Sequence, residues 1–459
     1  MSGPTTPLVG RRSAVAAARL TRAPDGRPVA SFRIEGGPHV GAIGPAEGAV
    51  LERAIRQAAG LGVPVVGTIA SSGADVRAGV ASLHAWGRVA RALAAASGVV
   101  PTLLVVTGPC LSGPALLLGL ADVVIMTDEA FAYVSGPDTV RAFTGIAIEP
   151  QALGGSAVHD RRSGVAALVA PDEAGAVALA WAVLDYLPGH HLDDPPVWPT
   201  DDPPDRPCHV AAATVPALPT ASYDVRRVID DVVDADSRLE LWARHAPNLV
   251  TALARLGGRT VGVVANQPQQ RAGTLDIEAS EKAARFVQWC DGANVPLVTF
   301  VDTPGFEPGK DLEWRGMIRH GAELVHAYAA ATVPRCCVVL RKAYGGAYIV
   351  MDSKGMGNDW CGAWPGAEIA VMGAPGAVQI LSGRELAAIA DPAARARAQD
   401  EREAEYQARF SNPYVAAERG YVDAVIDAAD TRRVLIDVLR QLDTKRELGR
   451  PRPHANTPL

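Results

Sequence analysis

The usual apparatus of side-chain catalysis is missing from this chain of 459 residues. Its ten histidines show no H-E-x-x-H spacing and no Ser-His-Asp array is evident, so the signatures of a zinc hydrolase and of a serine acyl transferase are both lacking. No metal ligand set is assigned, and His159 and His320 read as solvated or structural. Six cysteines (Cys110, Cys208, Cys290, Cys336, Cys337, Cys361) include no C-x-x-C pair, and several sit in apolar runs. They read as reduced core thiols of a cytoplasmic chain, not as a disulfide frame. Charge of one sign is not in excess: a net −6 with 20% charged residues gives no electrostatic case for nucleic acid or an anionic membrane. Nor is there a clean membrane span. Residues 92–121 carry no charge, but Pro101, Pro109 and Pro114 with Gly98, Gly108, Gly113 and Gly119 break any single helix. The start has no acidic residue before Asp25, and Arg19 cuts short the apolar stretch that a leader would need, so residues 1–24 are expected to form a flexible tail.

What is present is a large apolar fraction, 48%, in a chain longer than one core usually covers, so two domains are expected. The organising stretch is residues 333–351. Its run Cys336-Cys337-Val338-Val339-Leu340-Arg341 reads as a buried strand that enters the turn Tyr344-Gly345-Gly346-Ala347 and then a helix. Backbone N–H groups at such a helix start have no intrahelical partners and are aimed at one point, which suits an oxyanion. A lone Gly-Gly would more simply be a chain reversal, but here the pattern occurs twice.

Alternating strands and helices argue an α/β class. Residues 47–61 are apolar at helical spacing at Val50, Leu51, Ala54, Ile55 and Ala58. Strands follow at 63–69, 102–107 and 121–126, with helices at 76–96 and 115–120. The second half repeats the first at an offset of 232 to 233 residues: Val63-Pro64 answers to Val295-Pro296, Gly73 to Gly305, Val100-Pro101 to Val333-Pro334, and Gly113 to Gly346. Domains 25–191 and 223–459 are therefore read as duplicates, joined by a Pro/Asp-rich linker at 192–222. Two copies of one oxyanion turn suggest two acyl-like groups, each with a carbonyl to polarise.

At this point the chain resembles the carboxyltransferase β subunits of biotin-dependent acyl-CoA carboxylases, of the propionyl-CoA carboxylase type. The resemblance is carried by Val263-Val264-Ala265-Asn266-Gln267-Pro268, Ser280-Glu281-Lys282-Ala283-Ala284-Arg285-Phe286, Val301-Asp302-Thr303-Pro304-Gly305-Phe306 and Arg341-Lys342-Ala343-Tyr344-Gly345-Gly346-Ala347-Tyr348. Ala363-Trp364-Pro365, the run from Asn412 to Asp423 and the closing His454-Ala455-Asn456-Thr457-Pro458-Leu459 extend it. It implies two tandem crotonase-like (ClpP/crotonase) ββα-spiral domains, and a homo-oligomer that is usually a hexamer. The active site would lie between the N-domain of one subunit and the C-domain of its neighbour.

By the same resemblance Gly346 and Ala347 hold the ureido oxygen of biotin, which arrives as carboxybiotin on a separate carrier protein, and Ser112 and Gly113 stabilise the enolate of a coenzyme A thioester. Gly73, Ala74, Tyr344, Tyr348 and Ile349 would contact substrate, with ordinary core as the competing reading for Ile349. Such a reaction takes its acid and base from the cofactor, which accounts for the missing catalytic side chains. No Ala-Met-Lys-Met biotinylation tract or ATP-binding glycine loop is identified, so a biotin carboxylase and carrier (α) partner is expected.

The first half departs from the family pattern. Ser71-Ser72-Gly73-Ala74-Asp75 stands where Ser-Gly-Gly-Ala-Arg is usual, and Cys110-Leu111-Ser112-Gly113-Pro114 where Cys-Ala-Gly-Gly-Ala is usual. The basic region before the first domain is also shortened. Carboxyl transfer to a short acyl-CoA is the leading expectation. A decarboxylase or transcarboxylase of malonyl-type thioesters, and a noncatalytic β-like subunit assembling with an active paralogue, are the alternatives. Pro114 aligns with Ala347 and carries no N–H. Either the first turn has lost a donor, or Ser112 and Gly113 supply both donors one residue earlier.

Overall fold

The computed structural model describes residues 6–7, 13, 15–37, 39–445, 447 and 456–458. His454, Ala455 and Leu459, invoked above, lie outside the described residues. The chain divides into two compact units: Met1–Pro196 with Leu241–His245 and Gly292–Val295, and Val197–Glu240 with Ala246–Asp291 and Pro296–Leu459.

In the first unit β1 (Ala16–Arg22) and β2 (Pro28–Ile34) pair antiparallel, from Ala16 opposite Ile34 to Arg22 opposite Pro28. Parallel strands β3 (Val65–Ser71), β4 (Thr102–Leu111) and β5 (Val123–Thr127) follow. Short β6 (Phe131–Tyr133) pairs with the end of β4, and β7 (Leu168–Ala170) closes the far edge beside β5. The flexible tail expected over residues 1–24 is thus corrected: residues 16–22 are a strand. Three successive alanines followed by Arg19, Leu20, Thr21 and Arg22 give no apolar alternation and disguised it, and only Ala16 of the strand is fully buried.

Helix α1 (Pro45–Leu61) begins where Glu47 accepts the Gly44 N–H (3.1 Å) and ends at Gly62 in the left-handed region. It buries the five apolar positions read from the sequence. The helix expected over 76–96 is broken near its start. Val76–Ala78 is a separate 3₁₀ turn, Gly79 takes φ +55°, and α2 runs Val80–Ala96.

The second unit repeats this order. β8 (Leu249–Leu256) is antiparallel to β9 (Arg259–Asn266); β10 (Leu297–Thr303), β11 (Arg335–Tyr344), β12 (Trp360–Ala363) and the two-residue β14 (Ala424–Val425) continue in parallel. Short β13 (Glu368–Ala370) pairs with the end of β11 as β6 does with β4. Helix α3 (Ile277–Gly292) buries Ala279, Ala283, Phe286, Val287 and Cys290. Strands β4 and β11 both have ten residues, and their first and last residues are 233 apart. The Pro/Asp-rich stretch is largely built into this second unit: Trp198 donates to the Gly258 carbonyl (2.8 Å), and His209–Thr214 is helical. The fully buried guanidinium of Arg432 donates to the carbonyls of Pro203 (3.0 Å) and Asp202 (3.2 Å).

Candidate active site

In the second unit β11 delivers the chain to Gly345, whose φ of +59° turns it sharply into the six-residue helix α4 (Gly345–Val350). The N–H groups of Gly346 and Ala347 lie in its first turn, where no intrahelical acceptor exists, and neither bonds to another element among the described residues. Gly346 is exposed, and a Cβ there would lie 3.5 Å from the Phe306 ring.

The platform behind the turn is polar, buried and heavily bonded. Asp302 accepts from Arg341 Nε (3.0 Å) and from the Lys342 N–H (3.2 Å). Arg341 Nη1 also donates to the carbonyls of Leu218 (3.0 Å) and Ala221 (2.8 Å), tying that segment down. Lys342 reaches the Pro219 carbonyl (3.2 Å), and burial holds its ammonium below the usual lysine range.

Two of the tyrosines expected to touch substrate are placed otherwise. Tyr348 is buried on the inner side of α4 beside Cys361 and Cys337, and burial raises its phenol above the ordinary value. Tyr344 donates its hydroxyl to Glu368 and lays its ring against Gly373. The helix phase and the β11–β13 pairing turn both side chains inward. Ile349 is 44% exposed, so the core reading does not hold for it.

In the first unit the matching turn is built differently. Ser112, a non-glycine residue, takes φ +60° at the position equivalent to Gly345, and a 3₁₀ turn Gly113–Leu116 follows. The shared φ and equal strand lengths fix the alignment without an offset: Gly113 matches Gly346, and Pro114 matches Ala347. The Ser112 N–H donates to the Tyr133 carbonyl (2.9 Å). Ser112 is therefore not an oxyanion donor, which corrects the expectation for it, and the reading with Ser112 and Gly113 as a donor pair fails. Pro114 has no N–H to offer. Gly113 alone remains.

Gly73 lies beside this turn at φ +110°; a Cβ on it would stand 3.1 Å from the Leu111 carbonyl oxygen and 3.3 Å from Ser112 Cβ. Its carbonyl accepts from Ile43 (2.8 Å), as Gly305 (φ +145°) accepts from Leu275 (3.2 Å) in the second unit. Ala74 bridges to Ile43. Asp75 is matched within its own turn by Arg77 (2.8 Å), whose hydrogen bond lowers its pKa. Across Gly113 lies a residue the sequence reading did not single out, Trp86 of α2. A Cβ at 113 would be 2.8 Å from its Cζ2 and 3.1 Å from its Nε1.

The histidines have other work. His159 bonds Ser163 Oγ (2.7 Å) and the Ala132 carbonyl (2.8 Å). His320 sits between Glu281 (2.8 Å) and Glu323 (3.0 Å), a cluster that sequence spacing hides because Glu281 belongs to another helix.

Comparison with known proteins bears on what these turns serve. The family model for the carboxyl transferase domain matches residues 22–457. The chain belongs to the carboxyl transferase family. It is 44% identical to the carboxyltransferase subunit of propionyl-CoA carboxylase of Haloferax mediterranei, over 95% of this chain and 84% of that one. It is 42% identical to the methylmalonyl-CoA carboxyltransferase 12S subunit of Propionibacterium freudenreichii subsp. shermanii, over 94% of this chain and 82% of the relative. Among solved structures, a transcarboxylase 12S hexamer with methylmalonyl-coenzyme A and methylmalonic acid bound superposes with a TM-score of 0.95. That match has 38% identity and covers all of this chain and 90% of the other. The duplicated α/β fold expected from the resemblance is the fold found.

Proposed function

We propose that this carboxyl transferase moves a carboxyl group from biotin on a separate carrier protein to the α-carbon of a short acyl-CoA, of the propionyl- or acetyl-CoA kind, to give a malonyl-type thioester. The observation that carries the reading is the pair of strand-to-helix turns, 344–347 and 111–114, in units of the same build. Biotin, when bound, supplies the carboxyl group and the base for the α-proton. Gly346 and Ala347 fit a ureido oxygen: two N–H groups free of intrahelical acceptors, on a turn backed by the Asp302–Arg341 pair, meet its developing negative charge without reorganising. Gly113 meets the thioester oxygen. Gly73 and Ala74 form the wall beside it, and exposed Ile349 bears on acyl selectivity.

A biotin carboxylase and carrier (α) partner, assembly as a homohexamer and action in the cytoplasm belong to the same reading. Among the described residues no helix is long and apolar enough to cross a membrane. The test is reconstitution with a biotin carboxylase and carboxylated carrier, ATP, bicarbonate and a panel of two- to four-carbon acyl-CoAs. Malonyl-type product from at least one acyl-CoA, together with a hexameric mass by light scattering, is expected. Carrier turnover with no acyl product would overturn the acceptor assignment.

A further inference from the structure

The turn at 111–114 presents one backbone donor where its counterpart at 344–347 presents two, and a second donor lies directly against it. Trp86 Nε1 is buried and has no hydrogen-bond partner among the described residues. Leaving an N–H in that condition is costly, and few native donors stay so. It sits 3.1 Å from where a Gly113 Cβ would be, so the absence of a side chain at 113 is what lets the indole reach the turn. The Trp86 ring is only partly buried, packed on one side against the core of the first unit.

We propose that Trp86 Nε1–H is the second donor of the acyl oxyanion hole, replacing the N–H that Pro114 lacks. This rests on the reading of the first-unit turn as the acyl side. In the reaction the α-C–H bond breaks and its proton passes to the base that biotin provides. The electron pair enters the C–C bond of the enolate, and the thioester oxygen takes the charge between Gly113 N–H and Trp86 Nε1–H. The carbonyl re-forms as the α-carbon bonds to the carboxyl carbon; the bond from that carbon to the biotin nitrogen would break with its electron pair left on the biotin ring, and that pair would take up the α-proton, so each bond made is matched by one broken. Trp86 is thus a catalytic residue that touches the reacting oxygen and moves no proton.

The test removes the N–H while keeping the ring. Incorporation of 3-benzothienylalanine at position 86 replaces N–H by sulfur in the same shape, and Trp86→Phe gives a second variant. Loss of one donor predicts a fall in kcat of about 10²-fold, with KM for acyl-CoA little changed. Acceptor-independent decarboxylation of the carboxylated carrier stays intact in both variants. Adding Pro114→Ala to Trp86→Phe restores a backbone donor and recovers the rate, whereas Pro114→Ala alone gains little. Independently of turnover, the infrared carbonyl band of bound ¹³C-labelled propionyl-CoA lies below its solution position in the parent protein and returns toward it in both variants, a change a purely structural tryptophan would not produce. A band that ignores the state of residue 86, or that cannot be seen because propionyl-CoA does not bind, overturns the assignment. A Trp86-dependent band in a protein that carboxylates no acyl-CoA would instead sink the proposed function and leave this inference standing.

Discussion

Ser112 occupies a backbone region, φ +60° and ψ −146°, that L-residues rarely visit. Its strain serves the turn geometry and no donor role, since its N–H is already given to Tyr133. Ser112→Gly is expected to stabilise the protein by about 1 kcal/mol, the relief of strain less the extra entropy of a glycine in the unfolded chain. A higher midpoint in urea unfolding is the check, and an unchanged one would show that Ser112 is not strained. At the opposite turn Ala347→Pro removes one of two donors at a first-turn position where proline's φ is compatible with a helix. The rate with carboxylated carrier should drop by about 10²–10³-fold with the fold retained. Full activity in a folded variant would remove Ala347 from the site. Neither the sign of φ at 112 nor the destination of its N–H could be read from the letters, because both depend on β6 pairing with the end of β4.

Among elements, the strands and helices were legible wherever a periodic apolar run had clear punctuation, as α1 shows. They were illegible where the run was short or alanine-rich: β1 passed for a tail, and Gly79 ended a pattern that looked continuous. Tyr344 and Tyr348 stood in the right motif, but the facing of their rings is set by Glu368 and by β12, not by their neighbours in sequence. Trp86 was invisible for a related reason. It meets Gly113 only because α2 packs over that turn. The Pro/Asp-rich stretch illustrates the same limit, since composition suggests a linker while Arg432 fastens it from a distant helix. Arg432 also donates to the Val232 carbonyl (3.0 Å) and to Asp234 (2.6 Å). Arg432→Met leaves Asp234 buried with, among the described residues, only the N–H groups of Gly257 (2.9 Å) and Gly258 (2.7 Å) for compensation. The expected loss is about 3 kcal/mol, the low end for breaking a buried pair, measurable as a fall in the unfolding midpoint. A loss of a few tenths would mean that the stretch holds itself in place.

For the whole molecule, the duplication was the most legible feature, and it survives at the level of strand order and of equivalent turn residues. Stability of the assembled fold also carries a pH signature. Lys282 of α3 is buried, with Nζ donating to the carbonyl of Leu249 (2.7 Å), and burial lowers its pKa from 10.5 to about 7. Between those values the unfolded chain holds the proton and the folded chain releases it. Stability should therefore rise with pH across that window by about 1.4 kcal/mol per pH unit for this one proton, and be flat below it. Urea unfolding of the parent and Lys282→Met at pH 7, 8 and 9 isolates the slope, and a constant difference would assign Lys282 its ordinary pKa. The contrast between the two turns has a pharmacological consequence. A planar inhibitor that needs two adjacent backbone donors would find them at 346 and 347 but not at 113 and 114, so the two halves of this duplicated protein should be separately druggable despite their common ancestry.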